Sequence, residues 1–218
     1  VQLASGDSAG TIQLVSVADG AITGKVQAHA GAVTALAYRP GATQLVSSGT
    51  DGLVKWWNLP RVDPRAIATL PVAITSLATD GKTVVLGSTD GSIRMMDPAT
   101  GNQVRAFAGH AGSVVTMALH PAGTQVASGQ PDGAIRLFNA ADGALLGTFR
   151  GHTGPIKSLA LHPSLPQVVS GGDDGSVRVW QLPAAPAVIA GTGTFSTAKS
   201  IQAQATAGRA GGQAPPPQ

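Results

Sequence analysis

Three features of the chain place residues in spacings that could do chemistry. Gly6-Asp7-Ser8-Ala9-Gly10 spells G-x-S-x-G, the pattern that presents a serine nucleophile on a sharp strand-to-helix turn. Gly20–Lys25 (GAITGK) is one residue short of a phosphate-cradling loop. Five histidines, at positions 29, 110, 120, 152 and 162, could ligate a metal or move protons. The first two readings fail on context. Thr11–Val17 alternates like a strand where a nucleophile turn needs a helix, and no triad partner is in sight. GAITGK is followed by Val26, not by the Ser or Thr that would hold magnesium, and reads as a turn and a strand. Asp173-Asp174 could suggest calcium, but no further acids lie near them in sequence. There is no H-E-x-x-H segment.

Composition narrows the field. The 218 residues contain no Cys, which excludes thiolate zinc sites, iron–sulfur clusters and a Cys nucleophile within this stretch. No apolar run approaches the ~18 residues of a membrane-spanning helix. The net charge of +3 overstates the basicity: without Lys199 and Arg209 near the C-terminal end, 12 basic residues face 11 acids. The basic residues are spaced singly, so no nucleic-acid partner is expected. All 11 acids are Asp, and seven stand in Asp-Gly pairs at 19, 51, 80, 90, 132, 142 and 174. Asp-Gly between apolar alternations is a hairpin signal, and the missing Glu removes a helix former. The expectation is an all-β protein.

One pattern then recurs: small residues, a tight turn and a short alternating strand. It reads SGDSAGTIQLVS at Ser5–Ser16, SSGTDGLVKWWN at Ser47–Asn58 and LGSTDGSIRMMD at Leu86–Asp97. It returns as SGQPDGAIRLFN at Ser128–Asn139 and SGGDDGSVRVWQ at Ser170–Gln181. The turn glycines Gly10, Gly52, Gly91, Gly133 and Gly175 are 42, 39, 42 and 42 residues apart. Four short strands per unit at that period indicate a propeller or a β-array.

Gly109-His110, Gly151-His152 and the degenerate Ala28-His29 precede the turn glycine by a constant 23 residues from the His. Trp57-Asn58, Met96-Asp97, Phe138-Asn139 and Trp180-Gln181 close the last strand of their units. In these features residues 1–182 resemble the WD40 repeat family. The resemblance implies a β-propeller whose blades carry a buried tetrad of His, Ser, Asp and Trp. Transferred here, the tetrads are His29/Ser47/Asp51/Trp57 and His152/Ser170/Asp174/Trp180, with a third, His110/Ser128/Asp132, closed by Phe138. These histidines are thus assigned a structural role. His120 and His162, each before a proline, are expected in exposed turns. Lys55, Arg94, Arg136 and Arg178 share one strand position, where long stems can cover apolar surface while the charge reaches water.

The family's strand order implies that the chain starts at a second strand and continues through four full repeats, at about 18–58, 59–97, 98–139 and 140–181. About five blades are expected, the first incomplete, as a piece of a seven- or eight-bladed ring. Residues 183–218 are rich in Ala, Gly and Pro and read as a linker or disordered tail, in which 187–190 and 195–201 are the candidate strands.

The implied function is a non-catalytic, monomeric scaffold for protein partners, with no cofactor, metal or membrane insertion. The compartment is left open, with the cytoplasm slightly favoured. The expected docking face carries Thr50, Thr89, Ser113, Pro131, Thr153 and Asp173. The alternative is an accessory propeller of a larger bacterial enzyme or redox protein whose catalytic part is not in this chain.

The unit around Leu70 lacks the His and ends in Met96; the first has Ala9 and Val15 where Asp and Trp belong. These two are expected to be the weak blades. Trp57→Ala and Trp180→Ala should each cost about 3–5 kcal/mol in chemical denaturation, and Met96→Ala less; an equal loss at Met96 would refute the assignment.

Overall fold

The computed structural model describes residues 2–39, 44–59, 63–107 and 110–182, together with the backbone of 194–195 and 198–201; at 63 and 64 the backbone alone is described. Among the described residues there is no helix. These residues form twenty strands in five sheets. The first sheet holds β1 (Gln2–Gly6), β2 (Thr11–Ser16) and β3 (Ile22–Gln27). The second holds β4 (Val33–Tyr38), β5 (Gln44–Gly49), β6 (Leu53–Asn58) and β7 (Asp63–Thr69). The third holds β8 (Ile74–Thr79), β9 (Val84–Ser88), β10 (Ile93–Met96) and β11 (Gln103–Phe107). The fourth holds β12 (Thr116–Leu119), β13 (Gln125–Gly129), β14 (Ile135–Asn139) and β15 (Leu145–Phe149). The fifth holds β16 (Ile156–Leu161), β17 (Gln167–Gly172) and β18 (Val177–Gln181).

Each sheet is an antiparallel meander, and the strands β4, β8, β12 and β16 follow one another side by side along the inner edge, with β1, the counterpart of β5, beside β4. Among the described residues the first sheet has three strands, equivalent to the second, third and outer strands of the others, and the five sheets do not close into a ring. Residues 183–218, read from sequence as a tail, contain two further strands. β19 (Thr194–Phe195) runs parallel beside β15, and β20 (Ala198–Ile201) pairs antiparallel with β18 as the fourth strand of the last blade. The candidate strand at 187–190 lies outside the described residues.

The Asp-Gly pairs explain why the strands are so short. At all seven, the Asp carboxylate accepts the amide two residues on, at 2.8 to 3.2 Å, as at Asp51–Leu53 and Asp174–Ser176. The following glycine has a φ between 71° and 87°. A Glu would be one methylene too long for this local bond, and a residue with a Cβ would be strained at that φ.

Glycine serves a second purpose at the blade junctions. The positive-φ Gly10, Gly52 and Gly133 each sit against the loop that enters the next blade. A Cβ would lie 2.2 Å from the His29 carbonyl at Gly10, 2.2 Å from that of Leu70 at Gly52 and 2.5 Å from that of His152 at Gly133. The amides of Ala28 and His29 donate to the Gly10 carbonyl, and that of Leu70 donates to Gly52. The turn of one blade therefore fixes the height of the next.

The apolar core is likewise divided into layers between neighbouring blades. Ile12 and Leu14 pack with Leu45 and Trp57; Val54, Trp56 and Ile67 pack with Ile74 and Met96. Ile93 and Phe107 pack with Val126 and Phe138; Leu137 and Phe149 pack with Val168 and Trp180. The strand-ending aromatic of each unit thus faces the preceding blade. Phe107 meets Phe138 edge-on at 5.6 Å, and Phe149 meets Trp180 at 5.7 Å. The literal G-x-S-x-G match at 6–10 is the hairpin between β1 and β2.

Candidate functional site

In each meander the loop before the inner strand and the turn after the second strand lie at the same end of the blade. This end gathers the histidines, the turn aspartates and the candidate docking residues.

In the second blade His29 Nδ1 lies 2.9 and 3.1 Å from the Asp51 carboxylate oxygens, and its Nε2 is 2.8 Å from Ser47 Oγ. The Trp57 indole donates to that Oγ at 2.9 Å. Proton bookkeeping fixes the direction of the chain. The indole can only donate and the carboxylate only accept. Ser47 therefore donates to Nε2, and the imidazole carries its proton on Nδ1, aimed at Asp51. Asp51 also accepts the amides of Ala30 and Leu53. Burial raises the Asp51 pKa, but these amides and the His29 ring together pull it below the usual carboxylate value. Burial holds His29 below its ordinary value, against the opposing pull of Asp51, which favours the neutral ring.

The fifth blade repeats the arrangement. His152 Nδ1 is 3.0 Å from both Asp174 oxygens, Nε2 is 2.7 Å from Ser170 Oγ, and the Trp180 indole donates to Ser170 at 2.8 Å. The Ser176 hydroxyl adds a 2.7 Å bond to Asp174, and with His152 and the Thr153 and Ser176 amides it holds that carboxyl far below its ordinary pKa.

The fourth blade differs. His110 Nε2 lies 2.7 Å from Ser128 Oγ, and Phe138 packs 5.7 Å from the ring, but Asp132 is not joined to His110. Asp132 caps Ala134 and forms an exposed 3.3 Å pair with Arg150. Among the described residues, buried His110 Nδ1 has no partner. Pro131 stands where Thr50, Thr89 and Asp173 each donate a backbone N–H to the loop entering their own inner strand, and proline has none. The inner strand β12 starts six residues after its His, where β4 and β16 start four after theirs.

The third blade has no network at all. Leu70, Leu86 and Met96 occupy the positions of His, Ser and Trp, and all three belong to one apolar cluster. With the His, Ser and Trp positions all apolar, only the turn Asp90 remains, exposed and bonded to the amide and hydroxyl of Ser92, so no member of the network is left buried without its partner.

His120 and His162 are half-buried turn caps: His120 Nδ1 accepts the Ala122 amide, and His162 Nδ1 accepts those of Ser164 and Leu165. The shared cation position does not simply lead to water. The Lys55 ammonium donates to the Ala28 carbonyl, Arg178 Nε donates to Ser176, and one buried guanidinium nitrogen each of Arg94 and Arg136 has no described partner.

Of the docking candidates, Thr50, Thr89, Pro131, Thr153 and Asp173 are exposed and Ser113 is half-buried. Comparison with known proteins accounts for the recurring geometry. The model of the WD domain, G-beta repeat (WD40), matches residues 20–58, 101–139 and 143–181, the windows that contain His29, His110 and His152. The chain belongs to the WD40 repeat family. It is 34% identical over 125 residues to human WD repeat-containing protein 36, a match that covers 54% of this chain and 14% of that relative. WD40 repeats serve in general as protein-interaction scaffolds, and the family is generally non-catalytic.

Burial, the nearby Arg136 and, in opposition, Asp132 leave the His110 pKa at about 4. The unfolded chain takes up this proton near pH 6.5 and the folded one near 4, so stability falls as pH drops through that interval. Urea titrations at pH 7 and 4.5 should show a loss on the order of 2 kcal/mol from this group, reduced in His110→Asn. The same pH slope in both proteins would rule this assignment out.

Proposed function

We propose that this WD40 array is a non-catalytic scaffold that docks a protein partner on the end of the blades carrying Thr50, Thr89, Ser113, Pro131, Thr153 and Asp173. One observation carries the reading. The backbone amides of Thr50, Thr89 and Asp173 are tied to the adjoining loop at 2.8 to 3.0 Å, while their side chains are exposed. The network behind them anchors the same loops through the Ala30 and Thr153 amides. Such loops lose little freedom when a partner binds, which favours recognition. Their side chains are small, and exposed charges at this end are largely paired, Asp173 with Lys157 at 3.5 Å and Asp132 with Arg150 at 3.3 Å. The face therefore suits a partner that supplies its own aromatic or arginine anchors.

The tetrads are proposed to support this face and take no part in catalysis. A serine beside a histidine and an aspartate resembles a nucleophile triad, but Ser47 and Ser170 are fully buried and each also accepts an indole proton. A substrate carbonyl has no approach to either oxygen.

Partner capture by the native chain, by the Thr153→Arg/Asp173→Arg variant and by Ser164→Arg at the opposite end tests the proposal. Affinity should fall at least about tenfold, about 1.4 kcal/mol, in the double variant and stay unchanged in Ser164→Arg. An unchanged partner set in the double variant, with its melting temperature preserved, contradicts it.

A further inference from the structure

The opposite end of the blades holds a cleft of about 370 Å³ between the second and third sheets. Its walls come from the ends of β4, β6 and β10, the starts of β5 and β7, and the turn between β8 and β9. It is lined by Arg39, Arg65 and Lys82, by the Trp56 ring, and by the amides of Gln44 and Asn58. Asp97 is the one carboxylate among the described lining residues.

The three cations are exposed and unevenly committed. Arg39 donates one nitrogen to Gln44 at 2.7 Å, and Gln44 in turn donates to Asn58 at 2.8 Å. One Arg65 nitrogen donates to the Ala99 carbonyl. These bonds orient both guanidinium groups and leave most of their five N–H donors unused. Lys82 holds no side-chain partner among the described residues. Asp97 is occupied by the Ala99 amide and the Thr100 hydroxyl, at 2.8 Å each, and the Ala99 amide leads the contacts that keep it ionised. Among the described lining residues, three cations against one engaged carboxylate leave about two positive charges in excess.

We propose that this cleft binds a phosphate monoester dianion. Guanidinium forks fit phosphate and carboxylate oxygens alike. The surplus of two charges and the presence of two forks and an ammonium favour the doubly charged, three-oxygen group over a carboxylate. The cleft is at the small end of ordinary ligand sites, which suits a single phosphorylated group better than a polynucleotide backbone. That group comes either from a phosphorylated side chain of a partner protein or from a small phosphorylated metabolite. The proposal does not depend on the docking face at the other end.

Calorimetric titration of the whole chain with phenyl phosphate at pH 7.5 tests it, with benzoate and phenyl sulfate as monoanion comparators. Saturable 1:1 binding of phenyl phosphate is expected, at least tenfold tighter than either comparator. It should weaken at least tenfold in Lys82→Glu and in Arg39→Gln/Arg65→Gln, and be unchanged in Arg150→Gln. Lys82→Glu removes no described side-chain bond, so its folding is secure, and its melting temperature checks this. A phosphoserine peptide tighter than phenyl phosphate assigns the group to a partner protein; glucose 6-phosphate tighter than the peptide assigns it to a metabolite. Absence of saturable phenyl phosphate binding, equal binding of benzoate, or full affinity in Lys82→Glu would each overturn the proposal. Tight binding of single-stranded RNA without phenyl phosphate binding would do the same.

Discussion

A directed chain of hydrogen bonds, from indole to hydroxyl to imidazole to carboxylate, is the constraint on which the blades depend. Its direction follows from its ends: an indole N–H has no acceptor to offer, and an ionised carboxylate has no proton. The chain ties three parts of a blade that are distant in sequence: the loop that enters it, its second strand and its third. Low local dielectric strengthens each link, and the same low dielectric makes an unpaired member costly. The network is therefore stable when complete and stable when wholly absent. His29 and His152 stand in complete networks, and the Leu70, Leu86 and Met96 blade replaces the three buried members by apolar side chains and keeps only the exposed turn Asp90.

The fourth blade lies between these cases. With no carboxylate at Nδ1 to hold the proton there, His110 can place it on Nε2 and donate to the Ser128 hydroxyl. That leaves Nδ1 as a bare lone pair, which is cheaper to bury unpartnered than an N–H. Asp132, released from the ring, turns outward to Arg150, an exposed pair worth little. Pro131 lacks the N–H that ties the same turn in the second, third and fifth blades, so the loss of the aspartate contact, the missing amide and the late start of β12 occur together at one turn and its facing loop.

Much of this was legible in the sequence. The constant 23-residue step from His to turn glycine, together with the recurring Asp-Gly pairs, carried the blade pattern and the turn geometry. The same spacing gave no warning that Asp132 would leave His110, because the spacing is identical in all three units and the turn differs in the N–H that Pro131 lacks. The cationic cleft was equally hidden. Arg39, Arg65 and Lys82 stand singly in three different segments, and only the stacking of the second sheet on the third brings them to one place. The fourth strand of the last blade, Ala198–Ile201, comes from a stretch whose Ala- and Gly-rich composition carries little strand signal.

The central claim concerns where three protons sit, and long-range proton–nitrogen NMR of the imidazole rings measures this directly. At pH 7 the account requires His29 and His152 to be neutral and protonated on Nδ1, and His110 to be neutral and protonated on Nε2. A single tautomer shared by all three rings, or rapid exchange between tautomers at His29 and His152, would contradict it.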